Sequence, residues 1–204
     1  MNLNDFLIPT GDVCRRPGPF DRIVLSSRVR LARNLQDTPF PGRANKSERQ
    51  NLLQTMKPVI ESLRSMKEGF SEELSKLKRL EKQILVERHL ISRELASKSQ
   101  GSAIVLSMDE TFCVMINEED HLRMQAILPG LQIKEAWKSM NKMDTMLESK
   151  LPIAFSSDFG YLTACPTNLG TGIRVSAMLH LPGLVMAEHM QQTITAVNKL
   201  GLAV

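Results

Sequence analysis

Aromatic side chains are scarce in this sequence: seven phenylalanines, one tyrosine and one tryptophan make up 4% of 204 residues. Recognition of nucleic acid by base stacking needs more platforms than that, so no nucleic-acid partner is expected. Cysteine is scarcer still. Cys14, Cys113 and Cys165 are odd in number and far apart, which excludes a disulfide scaffold and fits a reducing, cytoplasmic setting. No Cys/His cluster has zinc-site spacing, so no protein metal ligand is expected. Nowhere do apolar residues run for the ~18 positions a membrane helix requires. The start, "MNLNDFLIPTGDVCRR", lacks both the basic residues and the apolar run of a secretory signal. A cytoplasmic protein with no membrane partner is the expectation.

Negative charge is missing from one place in particular. Residues 15–33 hold six arginines and a single acid, Asp21, for a local charge of +5, while the rest of the chain sums to −1. An excess so confined suits a localised anion site better than a general polyanion surface. Within it, "IVLSSRVRLARNL" (23–35) sets Arg28 and Arg30 two residues apart. On a strand that spacing aims both guanidinium groups at the same face. A solvated edge strand would explain the pair equally well.

The remainder is ordinary for a globular chain, with 42% hydrophobic and 24% charged residues. Residues 1–20 read as an irregular arm punctuated by Pro9, Gly11, Pro17, Gly18 and Pro19. A strand is expected over about 22–30. A helix opened by Ser47, with Gln50 completing a capping box, should kink at Pro58. A second helical stretch runs through Leu77 to Leu85. Strands 103–108 and 111–116 read as a hairpin around Asp109-Glu110. The acids of "EEDHLRMQAIL" read as the first turn of a helix, and another helix is expected over 132–148. Then come strand, turn and strand in "IAFSSDFGYLTAC", a loop in "PTNLGTG", a strand in "IRVSAMLHLPGL" and a closing helix over 184–200. No repeat and no linker divides residues 21–204, so they read as part of one domain. The order gives an α+β class: an antiparallel sheet flanked by helices, packed mainly on one side.

Three constellations could carry chemistry: Ser26 to Arg30, Asn117 to Arg123, and Cys165 to Arg174. Singly, each has an ordinary explanation. Acids 118–120 can cap a helix, Cys165 can be a small packed residue, and Gly170 and Gly172 can permit a turn. His121 and His180 read as structural. Together they make a different pattern. Arginines give forked hydrogen bonds to phosphate oxygens, and a carboxylate beside them fits a site that holds a cation or removes a proton.

In this order, "SSRVRLARN", "NEEDHLR" and "CPTNLGTGIR" resemble the signature segments of the phosphagen (ATP:guanidino) kinases, and "RVSAMLHLPGL" continues the likeness over roughly residues 20–200. Within that family the chain is most similar to the bacterial branch that phosphorylates arginine side chains in proteins. The resemblance implies a phosphagen-kinase-like catalytic domain that is incomplete here. It implies ATP with Mg2+ and grip on the nucleotide phosphates by Arg28, Arg30, Arg123 and Arg174, with Ser27 at the phosphate end. It also implies Glu119 as the base that pairs with the acceptor guanidinium, Cys165 as a reactive thiol beside it, and Asn168, Gly170, Thr171 and Gly172 as the loop beneath. Implied partners are arginine-bearing protein substrates, an activator protein and a Clp-type protease system. Creatine and arginine kinases carry a helical domain before the first arginine motif. Its replacement here by a short arm implies an open pocket. The family continues beyond residue 204 with a further phosphate-binding arginine, a mobile glycine-containing loop and, in the bacterial branch, a regulatory phosphoarginine pocket. Activity of this chain alone is therefore in question, and an exposed sheet edge is expected. Two alternatives stay open: a kinase for a small guanidino compound, and a non-catalytic relative that binds nucleotide or a partner.

Overall fold

A computed structural model describes residues 12–204; the first eleven residues of the expected arm lie outside it. Strand β1 (Val24–Arg33) is followed by helix α1 (Lys46–Glu61), strand β2 (Phe70–Glu73) and the short helices α2 (Arg79–Glu87) and α3 (Arg93–Ser97). Strands β3 (Ala103–Leu106), β4 (Phe112–Ile116) and β5 (Leu122–Pro129) lead to helix α4 (Ile133–Glu148). The two-residue strands β6 (Phe155–Ser156) and β7 (Gly160–Tyr161), strand β8 (Ile173–Leu179) and helices α5 (Pro182–Met186) and α6 (Met190–Lys199) complete the order. Six strands form one antiparallel sheet in the order β2-β3-β4-β5-β1-β8, and β6 and β7 pair separately.

Period-two alternation sorts the side chains of this sheet onto two faces. Val29 and Leu31 of β1, Val114 and Ile116 of β4, and Leu122, Met124 and Ala126 of β5 pack with Met56 and Ile60 of α1 and Met140 and Leu147 of α4 in one buried core. The opposite face of β2, β3 and β4 presents Phe70, Ile104, Leu106, Cys113 and Met115 to Leu85, Leu90 and Leu95 on and around α2 and α3. Helices therefore cover both faces, the long pair on one and the short pair on part of the other. On the second face of β5, β1 and β8, Gln125 is buried under the carbonyls of His89 and Leu90 and the turn Val13–Arg15 packs against β5 and β1, so the part left open is the end that carries Arg30, Arg123 and Arg174.

Several expectations shift. The segment after Asn117 is a strand, not a helix: acids 118–120 lie in a turn, and β5 runs between β4 and β1 with Leu122 and Met124 fully buried. Central pairing on both edges outweighs the acidic first-turn signal. Helix α1 is capped two residues early by Asn45 and Glu48, a reciprocal capping box, and continues over Pro58 to Glu61. Residues 107–111 make a longer connection than the two-residue turn expected. Strand β2, which lies between the two expected helical stretches where no element is expected, is paired with β3. The closing helix is broken into α5 and α6 near Glu188, whose φ is 58°. Strand β8 is a sheet edge with Val175 and Leu179 exposed, and α6 buries none of its residues.

Arg33 shows why not every arginine of the first motif belongs to a site. It points to the α4 side, where Nε and Nη2 bond Asp144 Oδ1 at 3.1 Å and Oδ2 at 2.6 Å. Its Nη1 donates to the carbonyls of Ala32 and Thr171, and its guanidinium carbon sits 3.4 Å above the Tyr161 ring. Arg33 is 2% exposed and Asp144 5%. Removing one partner leaves the other charge buried and unpaired, so Asp144→Ala is expected to lower unfolding free energy by about 3–5 kcal/mol, measured by urea denaturation.

Candidate functional site

Ladder register brings the distant arginines together on the second face of β5, β1 and β8. Arg30 stands opposite Arg174 on β8, and Arg28 opposite Ser176. On the other side Ala32 stands opposite Arg123 of β5, which makes Arg123 a diagonal neighbour of Arg30. Arg28 Nε donates to Ser176 Oγ at 3.3 Å. Arg123 Nη1 donates to Glu118 Oε2 at 2.6 Å, and Glu118, 1% exposed, also accepts from the Ser92 hydroxyl at the start of α3. Arg30 has no such partner: its Nε is buried and makes no hydrogen bond. Burial, with the cations of Arg28, Arg123 and Arg174 nearby, lowers Arg30 to about 10. Burial, then Arg123 and Arg174, lowers Arg28 as well. Glu118 pairs directly with Arg123 alone and only partly offsets the repulsion among the four cations, and an anion placed among them would relieve the rest.

A cavity of about 170 Å³ opens on this cluster, lined by Arg30, Arg123, Arg174, Glu119, Cys165 and Gly172, with Thr167 and Asn168 also at its wall. Glu119 is exposed at its edge. Cys165 Sγ lies 3.0 Å from Thr167 Oγ1. Gly172 has φ 64°, and a Cβ there would sit 2.6 Å from Ala32 O and from Arg33 Nη1, so only glycine fits this approach of the loop to β1.

Four residues singled out in the sequence stand outside the cavity, and Arg28, half-buried and bonded to Ser176 Oγ, is one of them. Ser27 points to the opposite face, fully buried; its hydroxyl donates to Gly130 O at 2.7 Å and accepts from Gln132 N at 2.9 Å. It braces the entry to α4 rather than the phosphate end of a pocket, because neighbours of Arg28 on a strand must face the other way. Gly170 pairs with Tyr161 through both backbone groups, and Thr171 accepts from Arg33. These two shape the loop from behind.

Sequence reasoning missed the residues that hold Glu119 and Cys165 in place. Asp120 Oδ1 accepts from Asn34 Nδ2 and from the backbone N–H of Ala164, both at 2.7 Å. Asn34 Nδ2 also donates to Leu162 O, and its Oδ1 accepts from His121 N. One buried amide thus joins the end of β1, the 118–121 turn and the segment before Cys165. Adjacent charge in "NEEDH" was visible, but which acid turned inward was not.

His121 locks the same turn. Leu35 N–H donates to its Nδ1 at 3.0 Å, and Nε2 lies 3.0 Å from Pro39 O, an arrangement that the neutral ring with its proton on Nε2 satisfies. Burial lowers its pKa below the ordinary 6.5. Between that value and the lower folded one, the unfolded chain takes up a proton the folded chain refuses, so stability falls as pH falls. The urea midpoint is expected to drop between pH 7 and pH 5, with the His121 ring titrating below 6.5 by NMR.

The profile described as "ATP:guanido phosphotransferase, C-terminal catalytic domain" matches residues 51–204. The chain belongs to the ATP:guanido phosphotransferase family. As their name states, members of this phosphotransferase family move a phosphoryl group between ATP and a guanido group. A protein-arginine kinase of Pelotomaculum thermopropionicum is 49% identical over 190 residues, covering 92% of this chain and 53% of that protein. One of Brevibacillus brevis is 42% identical over 198 residues, covering 96% and 56%. The chain thus spans about half the length of the curated relatives it matches. Among solved phosphotransferases, the duplicated taurocyamine kinase of Schistosoma mansoni with transition-state analogue components superposes with TM-score 0.76 at 26% identity, covering 95% of this chain and 28% of that one. Lombricine kinase superposes with TM-score 0.71 at 24% identity, covering 92% and 56%, a likeness of fold. No described helix is long and apolar enough to cross a membrane.

Proposed function

We propose that this chain carries the nucleotide- and guanidinium-binding elements of an enzyme that transfers the γ-phosphoryl group of ATP to arginine side chains of proteins, in the cytoplasm. The observation that carries the reading is Arg30, a half-buried cation whose Nε is buried and unpartnered, among three other arginines and across one cavity from Glu119 and Cys165. A triphosphate supplies the counter-charge that Glu118 alone does not. The protein-arginine kinase relatives support the choice of a protein-borne acceptor.

In this mechanism Arg28, Arg30, Arg123 and Arg174 hold the phosphate oxygens and stabilise the charge that spreads over the moving phosphoryl group. An acceptor guanidinium is protonated at neutral pH and has no free lone pair. Glu119 pairs with it, turns one nitrogen toward the γ-phosphorus and takes the proton from that nitrogen as the N–P bond forms. The bond to the β–γ bridging oxygen breaks, and ADP leaves. Cys165 lies against the guanidinium and orients it. Asn168 and Gly172 floor the cavity, while Gly170 and Thr171 support that floor from outside. Ser27, engaged with Gly130 and Gln132, has no part in the chemistry. The described residues include no group of three His, Cys, Asp or Glu side chains able to grip a metal ion. Magnesium bound by the phosphate oxygens of ATP and by water would supply neutralisation of phosphate charge, with no residue of this chain assigned as its ligand. An activator protein and a Clp-type protease system belong to the proposal as partners implied by the family resemblance.

Incubation with magnesium-ATP and casein tests this directly. Acid-labile phosphate on casein arginines, located by mass spectrometry, is the expected product. Phosphorylation of free arginine with none on casein would move the reading to a small acceptor, and ATP binding without transfer to either would make the chain a binding module.

A further inference from the structure

Glu119 and Arg123 line two cavities. Besides the 170 Å³ site, they border a groove of about 810 Å³ that runs between the Phe40–Arg43 turn and the C-terminal end of α3. This groove is far larger than the space an arginine side chain needs, and it opens beside the carboxylate that the proposed reaction assigns to the acceptor. Both walls are braced. Arg49 Nη1 donates to Ala44 O at 2.6 Å and pins the turn after β1, whose Arg43 and Ala44 N–H groups bond back to Phe40 O. Lys82 Nζ donates to Lys98 O at 2.8 Å and pins the end of α3.

Charge on the rim has a direction. Glu118 is already paired with Arg123, and Glu119 is reserved for the acceptor guanidinium. Of the remaining charged groups at the groove, Arg43 and Lys98 are cations, Glu94 is the single acid, and no ion pair engages any of the three among the described residues. Arg43 comes from one wall and Lys98 from the other. We propose that this groove seats the polypeptide segment bearing the acceptor arginine, and that Arg43 and Lys98 select acceptors with an acidic residue beside that arginine. The inference rests on the proposed arginine acceptor and adds its sequence context. Preformed walls lower the ordering cost of an extended segment, and rim charges set partner choice more than total affinity.

The test uses fluorescein-labelled nine-residue peptides with a central arginine flanked by aspartate, alanine or lysine. Binding is read by anisotropy with magnesium and a non-hydrolysable ATP analogue. The aspartate-flanked peptide is expected to bind about 5–10-fold tighter than the alanine-flanked one, two partly screened charge pairs being worth that much. In the Arg43→Ala, Lys98→Ala double variant the ratio should fall to about one. Equal binding of the two peptides, a preference that survives the double variant, or no peptide binding at all would overturn the groove assignment. Glu119→Gln separates the two levels. If it weakens every arginine peptide while flanks make no difference, the groove assignment falls and the acceptor reading stands. If it changes no peptide's affinity, the acceptor reading falls with it.

Discussion

Replacing Glu119 by glutamine is expected to lower phosphoryl transfer to arginine by about 10²–10⁴-fold, the usual contribution of a positioned general base. The amide keeps the shape of the side chain and its place at the cavity edge, so the fold has no reason to change: Glu119 is exposed and takes part in no ion pair among the described residues. What is lost is the anion that orients a guanidinium and the oxygen that accepts its proton. The loss should appear in kcat for a protein acceptor, with a far smaller change in nucleotide affinity, since the proposed reaction assigns the carboxylate to the acceptor guanidinium and not to the phosphates. Single-turnover transfer from radiolabelled ATP measures it. Full activity in the glutamine variant would remove Glu119 as the base and leave positioning by Cys165 and the arginines as the main source of rate.

A second substitution should move two observables in opposite directions. Arg30→Met keeps the side-chain stem in contact with the sheet and removes a cation whose Nε is buried without a partner. Loss of one charge-assisted hydrogen-bonding group to phosphate weakens nucleotide binding by about 10–100-fold. The unliganded chain, in contrast, should unfold at a higher temperature, because Arg28, Arg123 and Arg174 lose a like-charged neighbour. A residue placed only for structure would give the opposite pair of results: lower thermal stability and little effect on nucleotide. The combination of weaker binding and a more stable empty protein is the signature of a charge cluster built for an anion.

How far the sequence could be read depended on whether the deciding physics was local. The shared face of Arg28 and Arg30 follows from period-two geometry, and the strand at β8 and the helix at α4 emerge from periodicity. The same rule that paired these arginines should have sent Ser27 to the other face, as it does. Resemblance placed Ser27 at the phosphate end, and geometry outweighs it. Strand β5 failed for a different reason. Three acids ahead of an apolar run satisfy a helix start locally, whereas hydrogen bonding to β4 and β1 on both sides is a tertiary fact. The short strand β2 gave no alternation long enough to detect. In the site, Glu119, Cys165, Arg30, Arg123 and Arg174 line one cavity. The Asn34–Asp120 clamp did not show, because an inward-turned carboxylate and an outward-turned one look alike in "NEEDH". Arg33 likewise gave no sign that its carboxylate partner would arrive from Asp144, more than a hundred residues away.

The central claim is that the face formed by β5, β1 and β8 is shaped for a chain of phosphates. Calorimetric titration of the purified protein with magnesium-ATP, ADP and AMP tests it most directly. The account predicts one site, with ATP bound at least about tenfold tighter than AMP, ADP between them, and the ATP advantage largely erased in Arg30→Met. Equal affinity for ATP and AMP, or an ATP advantage untouched by Arg30→Met, would contradict it.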